Sequence, residues 1–271
     1  MEQMTTPEVI DALEQVWGSI LEVTKDLTED QWRLETPCPG WDVADNVSHL
    51  IGFERGIEGE SPPAIELSTA AHVKNDIGVM NERWVEERRS WTGDEVRAEF
   101  ALVTQRRLAT LRSLPETAFD EVGWSPIGQV PMRTFMLVRI MDSWLHEQDI
   151  RDALGRPGGT GGVGEQVTIA RADLALGVIV GKGARAPEGS SVALVIDGPR
   201  PVRRRFEIVG GRATAIEADE ATATITLAPA TYVRRFGGRI TTEDALAAEG
   251  TSLEGDRVLG AAVVTAMAVM I

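Results

Sequence analysis

Three residues have the types and spacing to do chemistry together: His49, Asp142 and His146. Asp142 and His146 bracket the run Asp142-Ser-Trp-Leu-His146, so in a helix both side chains occupy one face, a turn apart. His49 lies in another segment, shortly after a capped helix start. Two imidazoles and one carboxylate from two helices form the donor set of an open site for zinc or another divalent first-row metal. A position is left over for water or a thiol. The chain has only three histidines. The third, His72, has the same spacing to Asp76 but precedes a more polar, less regular stretch, and it reads as a surface residue.

Each of these residues also has an ordinary reading. His49 can be a buried histidine satisfied by a backbone carbonyl, Asp142 a partner of Arg139, and His146 a plain helix partner of Asp142. Asp149, three residues after His146, is placed to orient that imidazole as an acceptor, or else to pair with Arg151 or Arg133. Cys38 reads as a small turn residue packing against Trp41, because a reactive thiol needs a lowered pKa and a base. The seven tryptophans read as core or loop anchors, with Trp144 flanking the metal candidates. Arg203, Arg204 and Arg205 read as the solvated face of a strand. Arg234, Arg235 and Arg239 sit near a helix-to-turn transition, where they could hold a carboxylate or simply aid solubility.

The elements that must position these residues are helical in the first half. Val9, Leu13, Val16, Ile20, Val23 and Leu27 recur at three- and four-residue steps and predict a first amphipathic helix. Thr36-Pro-Cys-Pro-Gly40 is a rigid turn, since its prolines fix φ. Asp42 then reads as an N-cap with Asp45 in a capping-box position, opening a helix that buries Val43, Val47, Leu50 and Ile51. Further helices are predicted over 73–91, 94–114 and 133–154, the last ended by Gly155. No convincing alternating strand appears among them, so an up-and-down bundle is expected. The Gly-rich run 155–164 predicts a flexible connector. Beyond it, 166–180 reads as helix, 191–197, 203–209 and 221–227 as strands, and Gly210-Gly211 as a hairpin turn. Short helices follow over 230–236 and 242–248, with a last one from Asp256. A small α+β domain with a mainly antiparallel sheet is expected, giving domains 1–154 and 165–271 around the connector.

Composition narrows the function classes. The net charge is -15, which disfavours nucleic acid as a partner, because phosphate binding needs clustered Lys and Arg. The charge is lopsided: residues 1–154 hold 14 basic and 29 acidic side chains, residues 155–271 hold 13 of each. All tryptophans and histidines fall in the first part, which supports two domains of different construction. No signal-peptide pattern opens the chain, and the late apolar stretch Ala261 to Ile271 is shorter than the roughly 20 residues of a spanning helix. With a single cysteine, Cys38, no disulfide framework is available, and a cytoplasmic protein without membrane partners is expected.

Thr36-Pro-Cys-Pro-Gly-Trp41, followed by Val43-Ala-Asp-Asn-Val-Ser-His-Leu50, resembles the metal-binding N-terminal domain of the mycothiol-dependent maleylpyruvate isomerase family. The run from Asp142 to Gly155 resembles that family's second signature. Thr224 to Leu227, Tyr232 to Arg239 and Gly255-Asp256 carry a weaker likeness to the sterol-carrier-like domain that often accompanies it. The resemblance implies a DinB-like four-helix bundle with a metal site built from a first-motif His and a second-motif Glu-x-x-x-His. His49 and His146 match it, and Asp142, one methylene shorter, stands at the glutamate position. It also implies mycothiol as thiol cosubstrate, held on a zinc-type metal as thiolate and added to a small electrophile, in an isomerase or an S-transferase. Arg239 of the second domain is expected to hold a substrate carboxylate. The alternatives are a non-catalytic metal- or small-molecule-binding regulatory protein of the same fold, and a metal-dependent hydrolase using bound water.

Overall fold

The computed structural model describes residues 4–67, 71–199, 201–217 and 220–270. Two compact units divide between Thr168 and Ile169. In the first, α1 spans Thr6–Val23, α2 Glu29–Trp32, α3 Val43–Ile57, α4 Asp76–Glu86, α5 Gly93–Ser113 and α6 Met132–Leu154. A hairpin, β1 (Val122–Ser125) and β2 (Gly128–Pro131), joins α5 to α6.

Local signals set the helix ends. The Thr5 hydroxyl caps α1 and Glu8 reciprocates, with a proline in the first turn. Asp42 accepts from the Asp45 N–H and Asp45 accepts from the Asp42 N–H, which starts α3 where the sequence predicts it. α6 stops at Gly155, whose φ of 61° is the left-handed conformation glycine adopts without strain. α4 is shorter than the predicted 73–91, because Asn75 rather than Val73 caps its start.

The hairpin corrects the expectation of no strands in this half. Its four-residue strands show no buried alternation, since Val122 and Trp124 are exposed and Val130 is only half-buried, so period-two patterning has nothing to detect.

The long helices pack pairwise, α1 against α5 and α6, and α3 against α4, α5 and α6. α3 is enclosed from Val43 to Glu54, and α6 over most of Phe135 to Ile150. Helices enclosed on all sides carry their polar residues inside, and those residues must find partners there. Trp17 donates from Nε1 to Ser143 Oγ at 3.0 Å, and Ser19 donates to Glu147 at 2.6 Å. The Gly-rich run 155–164 is tied to α6 rather than running free. Trp144 Nε1 donates to Gly159 O at 2.7 Å, Gln148 donates to Gly158 O and Arg151 to Arg156 O.

α7 (Val163–Val178) straddles the division between the units and ends in a π-turn over Ile179–Gly183. The second unit holds β3 (Ser191–Ile196), β4 (Val202–Val209), β5 (Arg212–Ala215), β6 (Ala223–Leu227) and β7 (Ser252–Gly255) in the order β5-β4-β3-β6-β7. Every pairing is antiparallel except β3 with β6. Gly210 and Gly211, both at positive φ, form the predicted turn between β4 and β5. β7 was not predicted from the sequence; it is a short edge strand with no buried residue. α8 (Pro229–Phe236), α9 (Thr242–Ala247) and α10 (Arg257–Ala266, capped by Asp256) complete the unit. Among the described residues no helix is long and apolar enough to cross a membrane.

Candidate metal centre

α3 and α6 bring the three sequence-selected residues together. His49 Nε2 lies 3.3 Å from Asp142 Oδ2, and His146 Nε2 lies 3.7 Å from Asp142 Oδ1. The donor atoms of all three lie within 4.8 Å of one another. Ligands about 2.0–2.1 Å from a tetrahedral metal are separated from each other by roughly 3.3–3.4 Å. The two imidazoles approach different oxygens of one carboxylate at comparable distances, and two nitrogens and a carboxylate this close together are a donor set that fits a divalent metal.

The two imidazoles are held differently. His146 Nδ1 is 2.7 Å from Asn46 Oδ1, an acceptor, so Nδ1 carries the proton and the Nε2 lone pair faces Asp142. Asn46 is itself aimed by two bonds from Nδ2, to Thr36 Oγ1 at 3.0 Å and Asp42 O at 2.8 Å. Asp149, which the sequence offers either as an orienter or as a partner of Arg151 or Arg133, is farther from the same nitrogen, at 3.5 Å; Asn46 is the nearer acceptor. His49 Nδ1 is buried with no hydrogen-bond partner, and aromatic packing holds this ring instead. Trp41 stacks on it at 5.0 Å and Phe53 meets it edge-on at 5.9 Å. Trp41 also reaches His146, at 5.7 Å. The tryptophan flanking the site is therefore Trp41; Trp144 points to the Gly-rich run.

The prolyl turn delivers Trp41. Thr36 Oγ1 donates to Trp41 O at 2.9 Å, and Gly40 takes a φ of 82°. A Cβ at Gly40 would overlap the His72 ring, which is hydrogen-bonded to Glu82 at 2.9 Å. His72 thus props the turn from behind and belongs to neither potential donor group among the described residues. Cys38 is buried in the turn, and with His146 and Asp149 it forms a second set of donor atoms within 4.8 Å.

Electrostatics favour the ligating forms. Burial pulls the His49 pKa down to about 4 against the opposing Asp142 charge, so the imidazole is neutral at neutral pH. Burial would raise the Asp142 carboxyl, but Arg139 and the facing imidazoles outweigh it and hold the carboxyl well below its usual range. Arg139 Nη1 donates to Asp142 Oδ2 at 2.6 Å, and Oδ1 is left facing His146. Arg139 Nε donates to Glu54 Oε1 at 2.7 Å, and Glu54 lies 3.3 Å from Arg107 Nε. This buried alternation of Arg107, Glu54, Arg139 and Asp142 was missed in the sequence apart from the Arg139–Asp142 pair. The signal for it is charge on the enclosed faces of three helices, α3, α5 and α6.

The α3 N-terminus carries a titration that can be measured. Burial raises the Asp45 pKa to about 6, Asp42 adds repulsion, and Arg89 opposes both. The folded state therefore holds the Asp45 proton between about pH 4 and 6, where the unfolded chain has lost it. The stability this supplies is present below pH 4 and is lost as pH rises to about 6. Asp45→Asn keeps an acceptor for the cap and has no charge to bury. Its stability relative to wild type is expected to rise by on the order of 1–3 kcal/mol from pH 4 to 6 and then level off. Denaturant melts of chelator-treated proteins across that range check it; a constant difference would contradict the assignment.

Arg239 lies in the second unit, after α8, where its Nη1 donates to Gly237 O at 2.7 Å. Arg235 is buried and donates to Val264 O, Ile240 O and Thr265 O, which makes it a structural residue rather than a carboxylate receptor. Arg204 is paired with Asp173 at 2.7 Å.

Comparison with known proteins places the chain. The family of mycothiol maleylpyruvate isomerase N-terminal domains matches residues 13–151, which include all three candidate ligands. An uncharacterized protein of Mycobacterium tuberculosis is 29% identical over 135 residues, covering 48% of this chain and 49% of the relative. The chain thus spans about half the length of the curated relatives it matches. The fold is similar to the crystal structure of the mycothiol-dependent maleylpyruvate isomerase, with a TM-score of 0.57, 17% identity and 93% of each chain covered. A point mutant of that isomerase matches equally, at 0.57 and 16%.

Proposed function

Because the chain belongs to the family of mycothiol maleylpyruvate isomerase N-terminal domains, we propose that it is a metal- and mycothiol-dependent enzyme acting on a small electrophile, as an isomerase or a thiol S-transferase. The observation that carries this reading is the convergence of His49 Nε2 and His146 Nε2 on the Asp142 carboxylate, with the three donors within 4.8 Å of one another. In this reading the first unit is a DinB-like four-helix bundle built on α1, α3, α5 and α6. His49, His146 and Asp142 hold a divalent metal, most consistent with zinc given two nitrogen donors and one oxygen donor. When bound, such an ion lowers the pKa of a thiol, so that a thiolate is available near neutral pH.

The chain's own residues do the rest. Asn46 keeps the proton of His146 on Nδ1. Arg139 holds Oδ2 of Asp142 and presents Oδ1 toward His146. Trp41 and Phe53 pack the His49 ring and exclude water from it. Arg239 is the proposed contact for a substrate carboxylate, and the protein is proposed to work in the cytoplasm with no nucleic-acid or membrane partner.

The test is calorimetric titration of mycothiol into zinc-loaded and chelator-treated protein, followed by turnover assays on a panel of electrophiles with and without the thiol. Thiol binding that requires zinc, and turnover that requires both, are expected. Thiol binding indifferent to zinc would overturn the reading, and turnover without thiol would point to a hydrolase. One observation favours the non-catalytic alternative: Asp142 stands at the family's glutamate position and shares an oxygen with Arg139. Zinc and thiol binding without turnover on any electrophile would select it.

A further inference from the structure

The first unit contains a cavity of about 460 Å³ that the metal reading does not use. That volume lies in the range of small-molecule sites. Its walls are largely apolar and include the aromatic and thioether side chains of Phe53, Trp84, Trp124, Phe135, Met80 and Met136. Two glycines one turn apart on α3 shape it. A Cβ at Gly52 would overlap Trp84, so Gly52 admits that ring into the wall, whereas a Cβ at Gly56 meets nothing within 4 Å and leaves the space open. The β1–β2 hairpin contributes Trp124, which is 56% exposed although it packs edge-on against Phe135 at 6.5 Å.

One cation lines this apolar space. Arg107 is only 4% exposed, and its Nη2 donates only to Met136 Sδ, a weak acceptor, at 3.7 Å. Its Nε is ion-paired with Glu54 Oε2 at 3.3 Å but not aligned for a hydrogen bond, while Arg139 takes the other oxygen, Oε1. Glu54 balances the charge of Arg107, but a thioether is a poor acceptor for Nη2, and a buried donor gains from a stronger one. Guanidinium recognises carboxylate through paired donors, while thioether and aromatic walls accept an alkyl or aryl body.

We propose that this cavity is a binding site for a small apolar carboxylate, its hydrocarbon or aryl body among the aromatic walls and its carboxylate on Arg107. The site is separate from the metal ligands but shares a wall with them: Phe53 lines the cavity on one side and meets His49 and the Arg139 guanidinium, at 4.0 Å, on the other. The occupant is distinguished from a dicarboxylate by the lining, which beyond Arg107 offers no second cation.

Calorimetric titration of octanoate and of neutral octanamide into the chelator-treated full chain tests this without metal or thiol, so its failure and that of the enzymatic reading are read apart. Octanoate is expected to bind at least tenfold tighter than octanamide, because only the carboxylate satisfies Arg107. Gly56→Leu fills open space on an unstrained helix and should fold as wild type, yet weaken octanoate at least tenfold while retaining zinc. Arg107→Met should remove most of the preference for octanoate over octanamide. Octanoate that does not bind the wild type, or binds Gly56→Leu as well as wild type, overturns the site; equal binding of octanoate and octanamide overturns the role of Arg107.

Discussion

Replacing either His49 or His146 with alanine is expected to eliminate stoichiometric zinc binding, and with it any zinc-dependent thiol binding. Structural zinc sites with four protein ligands bind with about 10–16 kcal/mol, so one ligand represents roughly 3–4 kcal/mol, a factor of several hundred or more. With only three candidate protein donors, losing one leaves a pair that cannot compete with a modest chelator. Both histidines are buried and sit against Trp41, so each alanine also opens a small void and destabilises the fold somewhat. Competition with a chromophoric chelator separates the effects, since a folded variant that binds zinc like wild type would remove that histidine from the site. Asp142→Asn should lie between, because it keeps an oxygen donor but loses the charge that both imidazoles and Arg139 face.

Arg139→Met should produce the largest loss of stability. Arg139 is 1% exposed and bonds two acidic side chains, Glu54 at 2.7 Å and Asp142 at 2.6 Å, while stacking on Phe53. Methionine fills much of the volume but leaves both carboxylates without their shared cation. Removing one partner of a buried pair costs about 3–5 kcal/mol, which for a unit of this size lowers Tm by roughly 10 °C or more. The loss should shrink on acidification. Without Arg139, burial raises the Asp142 carboxyl, so the folded variant takes up a proton that the unfolded chain does not hold. Melts at pH 7.5 and pH 5 check this: a Tm within a degree or two of wild type at pH 7.5 would show that the network carries little of the stability.

The parts of this molecule legible in its sequence are those governed by local physics. The Asp42–Asp45 cap, the prolyl turn before it, the Gly155 stop and the three- and four-residue periodicities each act within a turn or two of chain. Accordingly α3, α5 and α6 lie within a residue or so of where they are expected. Among the elements missed, β1 leaves Val122 and Trp124 exposed, β2 only half-buries Val130 and β7 buries no residue, so none of these three strands has a buried alternation to detect. Trp144 and Trp41 illustrate the same limit within the site. Adjacency in the chain points to Trp144, yet its indole bonds Gly159 and Trp41 packs on both histidines.

The sequence by itself determined the donor types and their helical faces, because the Asp142–His146 spacing acts inside one helix and the Asp42 cap sets the phase of α3. Only the tertiary structure decided that His49 meets Asp142 across 93 residues of chain, and that Asn46 rather than Asp149 sets the His146 tautomer. The tertiary structure also decided that Arg139 takes one oxygen of Asp142 and leaves the other toward His146. Those outcomes depend on how α3 and α6 pack, since a small rotation of either helix would move a side chain by more than the length of a hydrogen bond. Such packing is the joint product of every apolar contact in the unit, and no short stretch of the chain encodes it.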